Sequence, residues 1–427
     1  TGDTMTGALD VQATITSDGL TVAGNVSVDG GTIKLDGNYP VGTRNVALGD
    51  EALNGSITGA RNTALGAYAA GSITSGNDNT AVGDTALYLN TTGSDNVAVG
   101  RTSLDANTTG SYNTAIGRDS LTFNTTASGN TAVGNLSLYA NTTGYSNTAV
   151  GQYAGGSLTT GPKNTAVGYQ ALRFGTTGVN TAIGAESLWN TTTGTMNTGL
   201  GRDTLFDNTT GSYNVAVGQS ALENNTTANN DTAVGHQAGY SNTTGNENVF
   251  IGRVAGYATT NSYNTAVGDA ALYSNTSGGT NTAIGKSALQ SNTTASNNTA
   301  VGYQAGYSNT TGTGNAFFGR VSGYSNTADY NNAFGAASLY NNTSGTQNVS
   351  MGDASLYINT TGSYNTSIGG NALRNNTTAS GNTAVGYQAG YSQTTASGGS
   401  NSFFGYQAGH SLTGLFCTFV GSQAGYA

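Results

Sequence analysis

The sequence predicts an all-β protein, a parallel β-solenoid built from one short unit that recurs along most of the chain. The motif Asn-Thr-Ala-Val-Gly, with small variations, occurs 23 times between residues 45 and 427. Successive copies are mostly 17 residues apart, with four spacings of 16 and one of 19. Such a short fixed period is typical of architectures in which each unit stacks on its neighbours. At ~4.8 Å per coil, we expect a rod of roughly 110 Å.

The positions of the unit, counted from its Asn, differ in chemical character. A typical unit reads N-T-A-V-G-x-x-A-L-x-x-N-T-T-G-S-Y. Position 5 is Gly in every copy, which predicts a positive φ or a close approach between backbones. Position 4 is always apolar and position 9 is Leu, Gly or, once, Ala70. We expect the large side chains at positions 4 and 9 to be buried, and the small ones at positions 3 and 8 to border a thin interior.

The insertions and deletions all fall in one part of the unit. The spacing from position 1 to position 8 never changes, whereas the following Asn-Thr-Thr-Gly segment varies in length. Loops tolerate such changes because they lie outside the packed stack. We therefore predict a coil with two short strands and an exposed turn. A helical array is disfavoured because Thr, Val, Asn and Gly are poor helix formers and the unit has no 3.6-residue period.

Position 1 is Asn in every unit except those that begin at Asp231 and Cys417. Stacked side-chain amides can hydrogen-bond to one another or to the backbone of the next coil. We interpret this column as structural. Asn-Thr-Thr turns also form glycosylation sequons, for example at Asn90, Asn107, Asn208 and Asn359. We interpret these asparagines as turn residues, because Asn tolerates left-handed backbone geometry.

Composition excludes several classes of protein. Only 8% of residues are charged and two are Pro, which suits neither a large globular core nor a disordered chain. The net charge is −9 and twelve Lys and Arg are scattered, so we expect no nucleic-acid binding. The single cysteine, Cys417, allows no intramolecular disulfide and no cysteine-based zinc site. No apolar run reaches 18 residues, so no membrane span is predicted.

Catalytic motifs are missing from the sequence. The two histidines, His236 and His410, occupy different positions of the unit, so we interpret both as surface residues. Gly285-Lys286-Ser287 resembles the end of a phosphate-binding loop, but Thr280 stands where that motif requires Gly. We therefore expect no enzymatic activity, no cofactor and no metal.

Tyrosines provide one candidate binding surface. Where position 9 is Gly, position 10 is often Tyr, and exposed tyrosines can stack on sugar rings. The alternative is that each Tyr fills the space left by the missing Leu. The candidate receptor-contact residues are Tyr240, Tyr257, Tyr307, Tyr324, Tyr391 and Tyr426.

The repeat over residues 45–427 resembles the head repeat of YadA-like trimeric autotransporter adhesins. The resemblance rests on the N-[TSV]-A-[VI]-G motif and the small residue three positions later. It implies a left-handed parallel β-roll in which three chains share an axis. Positions 2 and 4 share one strand face, and this face could line such an axis. The sequence alone leaves the number of chains open.

Residues 1–44 resemble the shaft of phage tail fibres. The resemblance rests on the phrase Gly2-Asp3-Thr4-Met5-Thr6-Gly7 and on the alternating short strands that follow it. It implies an N-terminal shaft or cap, with a tail or baseplate protein bound through a part that precedes Thr1. The last coil stops eleven residues into its unit, so we expect more polypeptide after Ala427.

Three functions are compatible with these patterns. The first is the rod of a phage tail fibre in the virion, which contributes to attachment to a host surface glycan or protein. The second is a trimeric adhesin on a bacterial surface. The third, weaker because the Thr column at position 2 is interrupted at several coils, is an ice-binding solenoid.

Overall fold

The computed structural model describes residues 43–426 except 55–56, 177, 395–399 and 413. It contains 23 strands of three residues each, one per repeat at positions 2 to 4. We call the repeat that contains strand βn coil n. The strands are β1 Val46–Leu48, β2 Thr63–Leu65, β3 Thr80–Val82, β4 Val97–Val99, β5 Thr114–Ile116, β6 Thr131–Val133, β7 Thr148–Val150, β8 Thr165–Val167, β9 Thr181–Ile183, β10 Thr198–Leu200, β11 Val215–Val217, β12 Thr232–Val234, β13 Val249–Ile251, β14 Thr265–Val267, β15 Thr282–Ile284, β16 Thr299–Val301, β17 Ala316–Phe318, β18 Asn332–Phe334, β19 Val349–Met351, β20 Thr366–Ile368, β21 Thr383–Val385, β22 Ser402–Phe404 and β23 Thr418–Val420.

Each strand pairs in parallel with the next one along the chain, which forms a single 23-stranded sheet. The register joins equal positions of the unit, as in the pairs Thr63↔Thr80, Ala64↔Ala81 and Leu65↔Val82. Since a register slip would exchange the two faces of a strand, the repeated pattern of residue types holds every coil in the same phase. This architecture confirms the predicted all-β parallel solenoid with coils of about 17 residues. In the part of the chain that the structure describes, no helix has the length and apolar character that a membrane span requires.

The interior of the coil is formed by positions 3, 8 and 9. Alanines at positions 3 and 8, such as Ala64 and Ala86, are buried, and so is Leu87 at position 9. Position 4 was predicted to be buried, and this prediction is wrong. Leu48 is 60% exposed and Leu200 is 46% exposed, because strand alternation turns position 3 inward and therefore turns positions 2 and 4 outward.

The invariant Gly at position 5 has both properties that the sequence predicted. Gly83 has a φ of 131°, and a Cβ on it would lie 2.7 Å from the carbonyl carbon and oxygen of Gly100 in the next coil. A side chain would thus be strained by its own backbone and would clash with the backbone beside it. This position turns the chain out of the strand in every coil.

The second strand predicted for each coil is absent from the described residues. On that side, backbone hydrogen bonds still join successive coils: Leu87 N–H donates to the Ser103 carbonyl and Leu89 N–H to the Asp105 carbonyl. However, positions 7 and 9 have left-handed backbones, with φ of 54° at both Thr85 and Leu87. A left-handed residue interrupts extended structure, so this side is a series of turns.

The asparagines at position 1 form the predicted structural column. Asn62 is fully buried, and its side-chain oxygen accepts a hydrogen bond from Asn79 N–H at 3.0 Å. Its Nδ2 donates to the Gly76 carbonyl at 2.9 Å, across the turn of the same coil. The column continues into the last coil, where Cys417 N–H donates to Asn401 Oδ1. These amides satisfy backbone groups that would otherwise be buried without partners.

The asparagines of the Asn-Thr-Thr turns, at position 12, form a second amide column. Asn107 donates from Nδ2 to Asn90 Oδ1 at 2.8 Å and to the Gly110 carbonyl at 2.9 Å. Asn90, Asn107, Asn208 and Asn359 are fully buried, and each donates from Nδ2 to the carbonyl three residues later, which confirms that they are turn residues. The predicted left-handed geometry is wrong for them, since none has a positive φ. Asn is suited to this position because its buried side chain hydrogen-bonds the carbonyl of its own turn and, in most coils, the amide of the adjacent coil.

The space left by a missing Leu at position 9 is filled from inside the coil. A Cβ on Gly239 would lie 2.5 Å from the ring of Phe250, and one on Gly256 would lie 2.2 Å from it. Phe250, at position 3 of its repeat unit and in the middle of β13, thus occupies the Leu sites of two coils. Phe317, Phe403 and Phe419 have the same relation to the other Gly pairs and to Gly425, while a Cβ on Gly155 would lie 2.9 Å from the Leu138 side chain of the preceding coil. The interpretation that Tyr at position 10 fills this space is therefore wrong.

The predicted shaft lies outside the described residues over positions 1–42, so its strands stay a prediction. The described part of the solenoid begins at the first repeat, where Asn45 already donates from Nδ2 to the Gly59 carbonyl. The predicted division at residue 44 also stays a prediction.

Candidate functional site: an outward aromatic column

Position 10 lies on the side of the coil opposite the sheet. Positions 9 and 12 point into the interior, where they meet positions 3 and 1 of the strand side. Gly239 lies against the Phe250 ring, and Asn242 donates from Nδ2 to Asp231 Oδ2 at 2.8 Å. Tyr240, which follows Gly239 in the chain, projects outward. Side chains at position 10 therefore form a column along the face that the sheet does not occupy.

Aromatic rings fill most of this column in the second half of the rod. Twelve of the fifteen coils from Asn180 onward have Tyr, Trp, Phe or His at position 10. Neighbouring rings are parallel and about one coil apart: the ring centroids of Tyr240 and Tyr257 are separated by 5.0 Å, with planes 3° apart. The four-ring run from Tyr307 to Tyr357 has centroid distances of 5.1, 5.0 and 5.1 Å. This regularity follows from the register of the backbone beneath.

All six tyrosines predicted from the sequence belong to this column, and the structure adds six rings that the sequence analysis missed. The added rings are Trp189, Phe206, Tyr273, Tyr340, Tyr357 and His410. Five of them were missed because the prediction was tied to Gly at position 9, whereas these five follow a Leu. His410 follows Gly409 and was missed because the prediction considered only Tyr. Counting ten positions from each Asn, whatever the residue at position 9, would have found them.

The stacking changes the way this column could contact a ligand. Within a run, both faces of an inner ring are covered by neighbouring rings, as for Tyr257 between Tyr240 and Tyr273. A sugar cannot stack on a face that another ring already covers. The ring edges and phenol hydroxyls remain available, so these tyrosines can offer hydrogen bonds spaced by one coil. Their receptor-contact role stays a prediction.

Charged and polar residues end each aromatic run. Tyr240 Oη donates to Glu223 Oε1 at 3.3 Å, and the Arg374 guanidinium lies 5.1 Å from the ring centroid of Tyr357. Burial raises the pKa of the Tyr240 phenol, and the Glu223 carboxylate raises it further. Burial also raises the pKa of Tyr324, with smaller contributions from neighbouring tyrosines. These hydroxyls therefore stay protonated and can donate at physiological pH.

Position 7 borders the aromatic column on one side. Trp189 Nε1 donates to Gln170 Oε1 at 3.2 Å, and the Arg173 guanidinium lies 4.0 Å from the ring centroid of Tyr153. In both pairs a residue at position 10 touches position 7 of the preceding coil. Near the end of the chain, Gln407 donates from Nε2 to Gln388 Oε1 at 2.8 Å, which starts a short glutamine ladder beside the rings. The surface is thus aromatic and amide-rich, with few charges.

The predicted surface histidines are on the surface. His236 is exposed, and His410 is stacked between Tyr391 and Tyr426 at 5.0 and 4.9 Å. Within the described ranges, no group of three or more His, Cys, Asp or Glu side chains is arranged to hold a metal ion.

The outward face of the sheet is the second extended surface. No Asp, Glu, Lys or Arg occupies position 2 or 4 in any of the 23 coils. Position 4 carries large apolar side chains that are partly exposed, such as Ile116 at 40% and Met351 at 41%. By contrast, position 6 on the neighbouring corner carries Arg101, Asp269 and Lys286. The sheet face is therefore selectively uncharged along the whole rod.

Together these features define a β-solenoid repeat protein with two extended surfaces, a continuous uncharged sheet face and an interrupted aromatic column on the opposite side. Neither a protein-family model nor a curated protein matches this chain.

Proposed function

We propose that this chain is the structural rod of a phage tail fibre, which assembles as a homotrimer and contributes to host-cell attachment without catalysis. The uncharged sheet face of the rod is the observation that carries the proposal. The resemblance of residues 1–44 to a fibre shaft favours the virion over the alternative, a trimeric adhesin on a bacterial surface. In both cases the rod would hold a binding surface away from the particle or cell.

Self-association follows from the outward sheet face. Soluble monomers rarely expose contiguous apolar patches larger than a few hundred Å². Here an apolar side chain projects at position 4 of every coil, including Leu200 at 46% and Ile284 at 40% exposure. A second copy of the chain presents the same columns with the same spacing, so the two faces match over many coils. The number of three chains comes from the resemblance to the trimeric adhesin heads.

The assembly is tested by placing charges on the sheet face. We expect the wild-type chain to sediment at three times its monomer mass of 42.7 kDa. Replacing Ile183, Ile284 and Ile368 with Lys would place like charges from the three chains beside one another in the interface at three levels of the rod, so we expect monomers in analytical ultracentrifugation. The matched control places Lys at position 6, where Asn135, Gln152 and Gln219 project to solvent, and should stay trimeric.

Two outcomes would contradict the assembly proposal. One is a wild-type chain that sediments as a monomer, and the other is an Ile→Lys variant that keeps the wild-type mass. A monomeric chain that also produced thermal hysteresis in an ice-growth assay would favour the ice-binding alternative, since the threonines at position 2 share this outward face.

Attachment is tested on particles and cells. We expect a fluorescently labelled chain to adsorb to some strains of a bacterial panel. We also expect antibodies raised against the coils to decorate virion tails in electron micrographs. Decoration of bacterial cells and not of virions would favour the adhesin, whereas adsorption to no strain would count against attachment altogether.

A further inference from the structure

The last residue of each unit, directly before the next conserved Asn, carries the most exposed tyrosines of the described chain. We call it position 17 also in the units of 16 or 19 residues. The exposed fractions of these tyrosines lie between 55% and 69%. None has a ring partner among the described residues, in contrast to the stacked column at position 10. The five residues are Tyr112, Tyr213, Tyr263, Tyr330 and Tyr364.

The backbone makes Tyr a poor choice at this position. Position 17 is left-handed in each of these coils, with φ from 56° at Tyr330 to 63° at Tyr263. Left-handed geometry is unfavourable for bulky side chains and suits Gly or Asn. Elsewhere the same column uses Gly129, Gly314 and Asn230, but also Val179 and Met196. Tyr therefore adds strain here without gaining burial, and neither local conformation nor core packing explains its five occurrences. Strain that is retained without a packing gain points to a contact with something else.

The backbone that holds these rings is well fixed. The residue before each Tyr accepts a hydrogen bond, through its side-chain oxygen, from the backbone of the preceding coil. Ser111 Oγ accepts from Ser94 N–H at 3.0 Å, and Asp329 Oδ1 accepts from Thr313 N–H at 2.7 Å. The same bond is made by Ser212, Ser262 and Ser363. Tyr has only two side-chain torsions, so an anchored Tyr is a rigid contact group with a small entropic cost of binding.

The column at position 17 faces water also in the assembled rod that we propose. It contains charged residues of both signs, including the exposed ion pair of Arg61 with Asp78. A column buried between protomers would exclude such charges, as positions 2 and 4 do over all 23 coils. A second copy of the chain is therefore a poor occupant for these tyrosines.

We propose that the tyrosines at position 17 bind saccharide units of a cell-surface glycan. No aromatic ring of the described chain stacks on any of the five, so each can offer a face to a sugar ring. Their neighbours in the column are mostly small, polar or charged: Asp95, Gly129, Met196, Asn230, Glu247, Thr280, Gly314, Gln347 and Gly381. Tyr330 and Tyr364 are two coils apart, ~10 Å, with Gln347 between them in the column. Among the described residues of this column, exposed apolar side chains adjoin one another only at Val179, Met196 and Tyr213, so four of the five tyrosines have no apolar neighbour for a protein partner to cover.

The sites are repeated, which suits a polymeric or densely displayed ligand. Tyr112 lies in coil 4 and Tyr364 in coil 19, so the five rings extend over roughly 70 Å of the rod. Each ring alone would bind weakly, but several contacts to one surface raise the apparent affinity strongly through multivalency. The inference rests on the proposed role in host attachment and names the ligand class and the residues for it.

The test is a five-fold Tyr→Asn variant at residues 112, 213, 263, 330 and 364. Asn suits the left-handed backbone and already occurs in this column, so the fold should be kept or stabilised. The probe is an array of bacterial O-chains, capsular polysaccharides and β-linked oligosaccharides such as chitohexaose. We expect wild type to retain at least one saccharide, and the variant to lose at least tenfold in apparent affinity. The matched control changes five column residues that adjoin none of these tyrosines, Asp78, Ser146, Lys163, Val179 and Ser400, to Asn and should bind as wild type does.

The inference is overturned if wild type retains no saccharide, or if the Tyr→Asn variant retains it equally. Adsorption to whole cells separates this result from the proposed function. A wild-type chain and a Tyr→Asn variant that adsorb to cells equally would remove the inference and leave attachment standing. A chain that binds saccharides through these tyrosines but adsorbs to no strain would contradict the proposed attachment and leave saccharide binding standing.

Discussion

One carboxylate, Asp231, interrupts the buried amide column at position 1. Its Oδ1 accepts from Asn248 N–H at 2.7 Å and its Oδ2 from Asn242 Nδ2 at 2.8 Å. Burial nevertheless raises its pKa from 3.8 to about 7, because the charged form loses its hydration. Since the pKa is raised in the folded state, the buried carboxyl of Asp231 favours folding in its protonated form. This stabilisation is fully present below about pH 4 and is lost as the pH rises through 7. The difference between the two pKa values corresponds to a loss of about 4 kcal/mol in the free energy of unfolding at alkaline pH.

We therefore expect Asp231→Asn to strengthen coils 11 to 13 at pH 8 and to change them little at pH 4. Native-state hydrogen exchange of the strand amides in these coils should slow by up to about a thousandfold at pH 8. As a matched control, Asn298→Asp should destabilise coil 16 in the same pH-dependent way, so its strand amides should exchange faster at pH 8 than at pH 4. A variant that keeps the wild-type pH dependence of exchange would show that Asp231 is not its cause.

At the scale of the element, the coil has one interior volume that two different sets of residues can fill. Most coils use Leu at position 9 with Ala at position 3, as in Leu87 and Ala81. Some pairs of coils use Gly at position 9 and a single Phe at position 3. The two sets are interchangeable because position 9 has the same left-handed φ in both, 54° at Leu87 and 62° at Gly239.

We expect Phe250→Ala to destabilise the coil by about 3–5 kcal/mol, because it leaves a cavity next to two glycines. Adding Gly239→Leu and Gly256→Leu should restore most of the stability, since it recreates the common coil. Urea denaturation followed by circular dichroism checks both variants. Phe206→Ala at the outward position 10 is the control and should cost less than about 1 kcal/mol. If the triple variant were no more stable than Phe250→Ala, the volume exchange would be wrong.

At the scale of the whole molecule, the rod is a one-dimensional stack in which each coil contacts only its neighbours. We expect deletion of residues 130–146, one complete coil, to leave a folded rod with a melting temperature within a few degrees of wild type, because Asn147 then takes the place of Asn130. Deletion of residues 130–138 removes half a coil and should disrupt the fold, since it puts interior positions outside. Circular dichroism with thermal melting distinguishes the two. Equal melting temperatures for both deletions would contradict the stack.

The repeat made the architecture predictable, because identical residues at identical positions must pair with one another. The roles of Gly at position 5 and of the Asn column were predictable for the same reason. The aromatic column was only half predicted. Tyr340 and Tyr357 follow Leu, so a prediction limited to Tyr after Gly at position 9 did not assign them to the column. Whether Tyr fills the interior or projects outward depends on left-handed residues at positions 7 and 9, and sequence gives little sign of these.

The sequence by itself determined the solenoid, its coil length and the position of its variable turn, because a 17-residue period allows one register and requires small residues where backbones approach. Only the tertiary structure decided which strand face is the interior. Alternation makes positions 2 and 4 equivalent to each other and opposite to position 3, but it does not say which set points inward. That choice depends on what lies across the coil, where Leu87, or Phe250 between two glycines, fills the volume above Ala. The apolar column at position 4 is outside for this physical reason, and it is this column that makes the rod a candidate for assembly.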